Sequence, residues 1–204
     1  MTSIESVTLE VADPTAAGRF YTAAFGLGTQ LRLRASAAPA TGFRGFTLSL
    51  VVSQPGTVNS LFSSALDAGA TALKPAAKSF WGYGGVVRAP DGTIWKVATS
   101  AKKDTGPATR QIDQIVLLLG VADMAASKQF YVDRGLAVAK SFGRKYVEFA
   151  TASSPVKLAL YGRRALAKDA GVAPEGTGSH RLMIDSDAGP FTDPDGFAWQ
   201  AAPL

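Results

Sequence analysis

The sequence predicts an α+β fold made of two related halves, and three observations predict it. Segments of period two, such as ESVTLEV (5–11), are interleaved with segments of helical spacing. The phrase VADPTAAGRFYTAAFGL (11–27) returns as VADMAASKQFYVDRGL (121–136), with Val-Ala-Asp first, Phe-Tyr seven residues after the Asp, and Gly-Leu last. A Pro-Asp-Gly turn followed by Trp is also written twice, in APDGTIWKVAT (89–99) and TDPDGFAWQAA (192–202). The offset is 110 at the helix (13 to 123) and 104 at the turn (91 to 195), so one small deletion separates the copies. A period this long, seen twice, means duplicated halves rather than a solenoid.

The elements follow in order. In 5–11, Val7, Leu9 and Val11 alternate with Ser6, Thr8 and Glu10, as in a half-buried strand. Asp13 is placed to cap a helix whose first residue is Pro14, because a carboxylate accepts from orphan N–H groups and Pro has no N–H to strand. Phe20, Tyr21, Ala24 and Phe25 form its apolar stripe, and Gly26 ends it. TQLRLRA (29–35) and GFTLSLVV (45–52) read as strands, and TVNSLFSSALDAGA (57–70) as an amphipathic helix. GYGGVVRA (82–89) and TIWKVA (93–98) read as strands joined by the Pro-Asp-Gly turn. Residues 1–100 thus form a first half, and the polar, Gly/Pro-containing 101–110 a linker.

The second half, 111–204, opens with the strand IDQIVLLLGV, followed by a helix capped by Asp123 and running through Tyr131. KYVEFAT (145–151) and VKLALYG (156–162) are strands, RRALAKDAG (163–171) a short helix, SHRLMID (179–185) a strand, and the turn then leads into the last strand. No counterpart of helix 57–70 is visible, so the C-terminal part is helix-poor.

Composition bounds the function. The chain has 204 residues and 47% hydrophobic content, enough for a sizeable core. No run approaches a membrane span, and MTSIESVTLEV lacks the basic and apolar regions of a secretory signal. Cysteine is absent, which removes disulfides and thiolate chemistry. A cytoplasmic protein with no membrane partner is the expectation. The net charge of +5 is spread as singles and pairs rather than as a stripe with interleaved aromatics, so no nucleic acid is expected; the same excess attracts an anionic small ligand.

With the duplicated helix phrase and the duplicated DPDG-type turn in this order, the chain resembles the vicinal oxygen chelate superfamily, which includes glyoxalase I, extradiol dioxygenases and bleomycin-resistance proteins. The likeness covers nearly the whole chain. It implies duplicated βαβββ modules forming curled mixed sheets around a cleft, with helices on the outer faces. Ser6, Thr8 and Glu10, then Gln114, Val116 and Leu118, then Lys96 and Gln200, would face that cleft, while Trp95 and Trp199 face the helices as core packing.

The resemblance also implies where a metal would bind, namely on the first strand of a module and on the strand after the turn. The matching positions hold Ser6, Lys96, Gln114 and Gln200. An ammonium repels a cation, and an alcohol and two amides are weak ligands, so no metal and no cofactor are expected.

His180, the only histidine, has two readings: a hydrogen-bonded edge or core residue, or a base contacting a ligand. If Leu182 and Ile184 face the helices, His180 shares their side, and Arg181, Met183 and Asp185 face the cleft. FWGYGG (80–85) likewise reads either as a bulge with rim aromatics or as a ligand platform of Phe80, Trp81 and Tyr83 on glycines.

Two functions follow from these residues. The first is a metal-free protein of the bleomycin-resistance type that binds a small, planar or anionic organic molecule through Ser6, Thr8, Phe80, Trp81, Tyr83, Lys96, Gln114, Arg181, Met183 and Gln200. The alternative is a metal-independent isomerase, cyclase or lyase with His180, Lys96 or Glu10 carrying protons. Because each half looks incomplete, a homodimer is expected.

Overall fold

Asp13 and Asp123 each stop a strand and start a helix. The Asp13 carboxylate accepts from the N–H groups of Thr15 (2.9 Å) and Ala16 (3.0 Å), and that of Asp123 from Ala125 (2.9 Å) and Ala126 (3.2 Å). Each such cap stabilises its helix by about 1 kcal/mol. A computed structural model describes residues 2–150 and 154–202. Thr151, the end of the expected strand 145–151, lies outside them.

Among the described residues the first half contains β1 (Ile4–Val11), α1 (Pro14–Ala24), β2 (Leu31–Ala35), β3 (Ala40–Gly42), β4 (Phe46–Val51), α2 (Pro55–Asp67), β5 (Thr71–Ser79), β6 (Gly82–Arg88) and β7 (Ile94–Thr99). The second contains β8 (Gln114–Val121), α3 (Met124–Asp133), β9 (Ala137–Ser141), β10 (Tyr146–Ala150), β11 (Val156–Gly162), α4 (Arg163–Ala170), β12 (Gly176–Gly178), β13 (Leu182–Ser186), β14 (Phe191–Thr192) and β15 (Ala198–Ala201).

The halves do not make one sheet each. An eight-stranded sheet of order β5-β6-β7-β4-β8-β11-β10-β9 takes a complete βαβββ module from each half, joined where β4 pairs antiparallel with β8. In both modules the first strand lies parallel to the last, β4 on β7 and β8 on β11. A five-stranded sheet of order β14-β15-β13-β1-β2 takes β1, α1 and β2 from the start of the chain and three strands with no helix between them from its end, while β3 and β12 pair in a separate two-stranded ribbon. One apolar core lies between the sheets, with Val7 and Leu9 on one side, Leu48, Trp95 and Leu117 on the other, and α1 and α2 within it.

The two turns fasten the sheets to each other. Tyr21, on the helix of the five-stranded sheet, donates to Asp91 Oδ2 (2.6 Å) in the β6–β7 turn of the other sheet. Tyr131, on the helix of the eight-stranded sheet, donates to Asp193 Oδ2 (2.5 Å) just before β15. Each tyrosine ring packs on the tryptophan that follows its turn, Tyr21 on Trp95 (5.4 Å) and Tyr131 on Trp199 (5.5 Å). The repeated phrases are thus two reciprocal latches. Burial pushes both hydroxyls well above the usual tyrosine range, and the neighbouring carboxylates add to it. Burial likewise raises Asp193, against the bonds it accepts from Tyr131 and the N–H of Phe197.

Three departures from the sequence reading have physical reasons. The strand β5 is hidden in the sequence by Pro75 and two lysines; it is an edge strand, where a missing N–H costs no ladder bond, and register shifts flank the proline. The linker 101–110 is docked: the Gln54 amide donates to the carbonyls of Gly106 (3.1 Å) and Pro107 (2.8 Å) and accepts from the N–H of Thr105 (2.8 Å). Most consequential is α4. The helices α1, α2 and α3 pack on the core-facing side of their sheets, away from the cleft as expected, but α4 lies on the cleft face of the eight-stranded sheet. Its Leu166, Ala167 and Ala170 pack with Val86, Ile94 and Phe43, and against Leu118 and Tyr161. Gly120 permits this, since a Cβ there would stand 2.8 Å from the Gly45 carbonyl and 3.2 Å from the Arg163 backbone.

Candidate functional site

The four positions that the resemblance marks for a metal are divided between two sheets. Ser6 and Gln200 lie on the five-stranded sheet; Lys96 and Gln114 lie on the eight-stranded one.

On the five-stranded sheet, β1 and β13 pair so that Ser6 faces Asp185 and Thr8 faces Met183, while Asp185 faces Gln200 of β15. The Asp185 side chain is 0% exposed. Its Oδ2 accepts from Ser6 Oγ (2.6 Å) and Thr8 Oγ1 (2.9 Å), and its Oδ1 from Gln200 Nε2 (2.5 Å). Three neutral donors compensate one buried carboxylate, as a buried charge demands. These residues do not fit a divalent cation, because both carboxylate oxygens already serve donors and Gln200 turns its nitrogen, not its oxygen, inward. Glu10, further along β1, forms an ion pair with Arg34 of β2. Met183 sits between Thr8 and Ala198, half-buried.

On the eight-stranded sheet, Lys96 of β7 stands beside Ser49 of β4, which in turn faces Val116 of β8; Gln114 is one pleat further along β8, exposed. The Lys96 ammonium meets Asp169 of α4 at 2.8 Å and 3.1 Å, with the two side chains 34% and 42% exposed. Lys74 of β5 donates to the last turn of α4, at the Lys168 carbonyl (2.7 Å). Beside α4 an open groove of about 470 Å³ remains, lined by Lys74, Trp81, Gly84, Lys96, Thr99 and Asp169 among others. An ammonium at this position does not fit a metal either.

The aromatic stretch divides. Phe80 and Trp81, each 82% exposed, form an edge-to-face pair (5.0 Å) at the tip of the β5–β6 hairpin, and Trp81 borders the groove. Tyr83 also borders the groove, but its hydroxyl reaches α2 and donates to Asn59 Oδ1 (2.8 Å). The glycines are explained by packing: at Gly85 a Cβ would lie 2.6 Å from the Phe62 ring of α2.

His180 is placed away from both clusters. Its Nδ1 lies 2.5 Å from the Arg44 carbonyl and its Nε2 3.0 Å from the Asp195 carbonyl, with the ring stacked on Phe197 at 4.0 Å. A ring flanked by two acceptors ties backbone to backbone. The expected alternation holds from Leu182, with Leu182 and Ile184 in the core and Met183 and Asp185 on the other face, but fails before it because Arg181 has a φ of +52°. Arg181 instead donates to the Ala38 carbonyl (2.9 Å from Nε).

Asp185 has a signal in the sequence, since the alternation puts it on the cleft face with Met183, although the contacts it makes there are not legible. Asp169 has none, because nothing in RRALAKDAG says which face of a sheet that helix covers. Among the described residues no set of three or more His, Cys, Asp or Glu side chains is placed to hold a metal ion, and no helix is long and apolar enough to cross a membrane.

Compared by sequence, the chain matches no protein-family model and no curated protein. Compared by structure, it is similar to glyoxalase I from Zea mays, with a TM-score of 0.64 at 16% identity over 98% of this chain and 91% of that one. A glutamate-to-glutamine point mutant of the maize enzyme gives 0.63 at 14% identity, over 97% of this chain and 92% of that one. A putative dioxygenase from Bacillus subtilis subsp. subtilis str. 168 gives 0.55 at 12% identity, over 90% and 69%. At such identities the likeness concerns architecture, and with the paired βαβββ modules it shows that this chain has the vicinal oxygen chelate fold.

Proposed function

We propose that the chain is a metal-free binding protein for a small organic molecule, and that the molecule lies in the groove of the eight-stranded sheet beside Trp81 and Lys96. The observation that carries this reading is the chemistry of the groove. It joins an exposed indole, a glycine-lined strand and an ammonium whose one carboxylate partner is solvent-facing, which suits a flat ligand with a polar end. The five-stranded sheet supports the same reading by contrast, since the bonds of Asp185 are all used internally.

The alternative, a metal-independent enzyme, rests on Lys96 alone. His180 is engaged with two backbone carbonyls and Glu10 with Arg34, and neither lines the groove.

The test is a titration of purified protein with planar organic molecules, followed through tryptophan emission, with Trp81→Phe as the control. Trp95 and Trp199 are buried, so quenching should be saturable and should vanish in the control. Chromatography of the mixture should return the ligand unchanged. A new chemical species would favour the enzyme, and a stoichiometric divalent ion carried through purification would overturn the metal-free assignment.

A further inference from the structure

From the same groove we infer that the ligand is an organic anion, and that α4 acts as a built-in competitor whose Asp169 carboxylate occupies the ligand's anionic subsite on Lys96. This inference rests on the binding reading above and adds the ligand's charge and a mode of regulation.

Two of the three lysines that line the groove are engaged by α4, Lys96 by the Asp169 carboxylate and Lys74 by the Lys168 carbonyl, and the third, Lys78, adds to the positive charge of the groove. The helix has only eight residues, and its apolar contact consists mainly of Leu166, Ala167 and Ala170. Lys96 and Asp169 are each more than a third exposed, so their attraction is screened by water and is cheap to exchange. The carboxylate therefore stands in for the group the site prefers: an acceptor of charge −1, set about 2.8 Å from the ammonium, with the groove continuing past it toward Trp81. A ligand carboxylate, sulfonate or phosphate entering the groove exchanges one ion pair for another and lays its flat body along Gly84 and Trp81. No bond is made or broken. The substitution also frees Asp169, so occupancy loosens the contact that ties the end of α4 to the sheet.

The sign of one mutation separates this from a groove in which Asp169 is a ligand-binding group. The probes are 8-anilinonaphthalene-1-sulfonate, an anion, and N-phenyl-1-naphthylamine, an uncharged molecule with the same rings. Asp169→Asn should bind the sulfonate about fivefold more tightly than the unmodified chain, and Lys96→Gln about fivefold more weakly, since one partly exposed ion pair is at stake. The uncharged probe should change by less than about twofold in both variants. Thermal unfolding of each variant verifies that it is folded, which polar substitutions at partly exposed positions allow. If the unmodified chain binds the sulfonate but Asp169→Asn binds it equally or more weakly, the competitor role is overturned and the binding reading stands. If the unmodified chain binds neither probe saturably, the binding reading fails and this inference falls with it.

Discussion

On the five-stranded sheet the Asp185 carboxylate is shut away from water and accepts hydrogen bonds from Ser6, Thr8 and Gln200. On the eight-stranded sheet the Asp169 carboxylate is 42% exposed and faces one ammonium, that of Lys96. Both occupy the face turned away from the shared core. The truncated modules of the first sheet have closed that face with a network whose members depend on each other. The complete modules of the second have kept an open groove and covered part of it with α4. A carboxylate surrounded by neutral donors is structural, whereas one held by a screened cation is exchangeable.

That contrast breaks first under deletion of the two carboxylates. Asp185→Ala should lower unfolding stability by about 3 kcal/mol, because it strands the buried donors of Ser6 and Thr8 and the half-buried one of Gln200 at once. Asp169→Ala should cost less than about 1 kcal/mol, as partly exposed ion pairs do. Urea unfolding of both variants measures the difference. Equal losses would mean that the two faces are not different in kind, and the assignment of the groove as the site would lose its footing.

The joint between the sheets comes next. Tyr21 and Tyr131 each bridge from a helix of one sheet to a turn of the other, and burial holds both hydroxyls protonated well past their ordinary value of 10.0. With the folded value raised, the unfolded chain loses these protons first. The contribution is complete below pH 10 and declines as pH rises beyond it, by about 1.4 kcal/mol per pH unit for each tyrosine. Tyr21→Phe and Tyr131→Phe should each flatten the fall in stability between pH 10 and 11.5 by about one proton's worth. A slope unchanged in both variants would show that the latches are already open at that pH.

What was legible in the sequence was whatever is encoded locally. The caps at Asp13 and Asp123, the faces of β1 and β8, the inward tryptophans and the duplicated turn all follow from spacing, and the structure places them accordingly. What was not legible depends on where one segment meets another. Lys96 and Gln200 occupy matching positions in the repeats, yet Gln200 donates to Asp185 and Lys96 pairs with Asp169 of α4, because the modules pair across the halves instead of within them. His180 departs from the alternation through a single backbone angle at Arg181, which residue type does not announce. β5 is hidden because Pro75 and its lysines are tolerated only at an edge, and the edge is a property of the sheet.

The smallest effect concerns the asymmetry of the two latches. In the first copy the tyrosine takes Asp91, the aspartate of the Pro-Asp-Gly turn; in the second it takes Asp193, two residues before the matching Asp195. Asp195 is thereby released to accept from Ala122 N–H and Ser127 Oγ, both at 2.7 Å, which fastens the start of α3. Burial raises Asp193 above the usual carboxylate value of 3.8. The unfolded chain therefore deprotonates before the folded one, and stability from this group is fully present below pH 3.8 and lost as pH rises through the folded value. Asp193→Asn keeps an acceptor for the N–H groups of Asp195 (3.0 Å) and Phe197 (2.8 Å) and has no proton to lose. The stability of the unmodified chain relative to this variant should be highest in acid and diminish toward neutrality, over a span of about 1 kcal/mol or less, since the isostere preserves most contacts. Urea titrations from pH 3 to 7 measure it, and a relative stability that instead climbs with pH would mean that the Tyr131 and backbone bonds outweigh burial at Asp193.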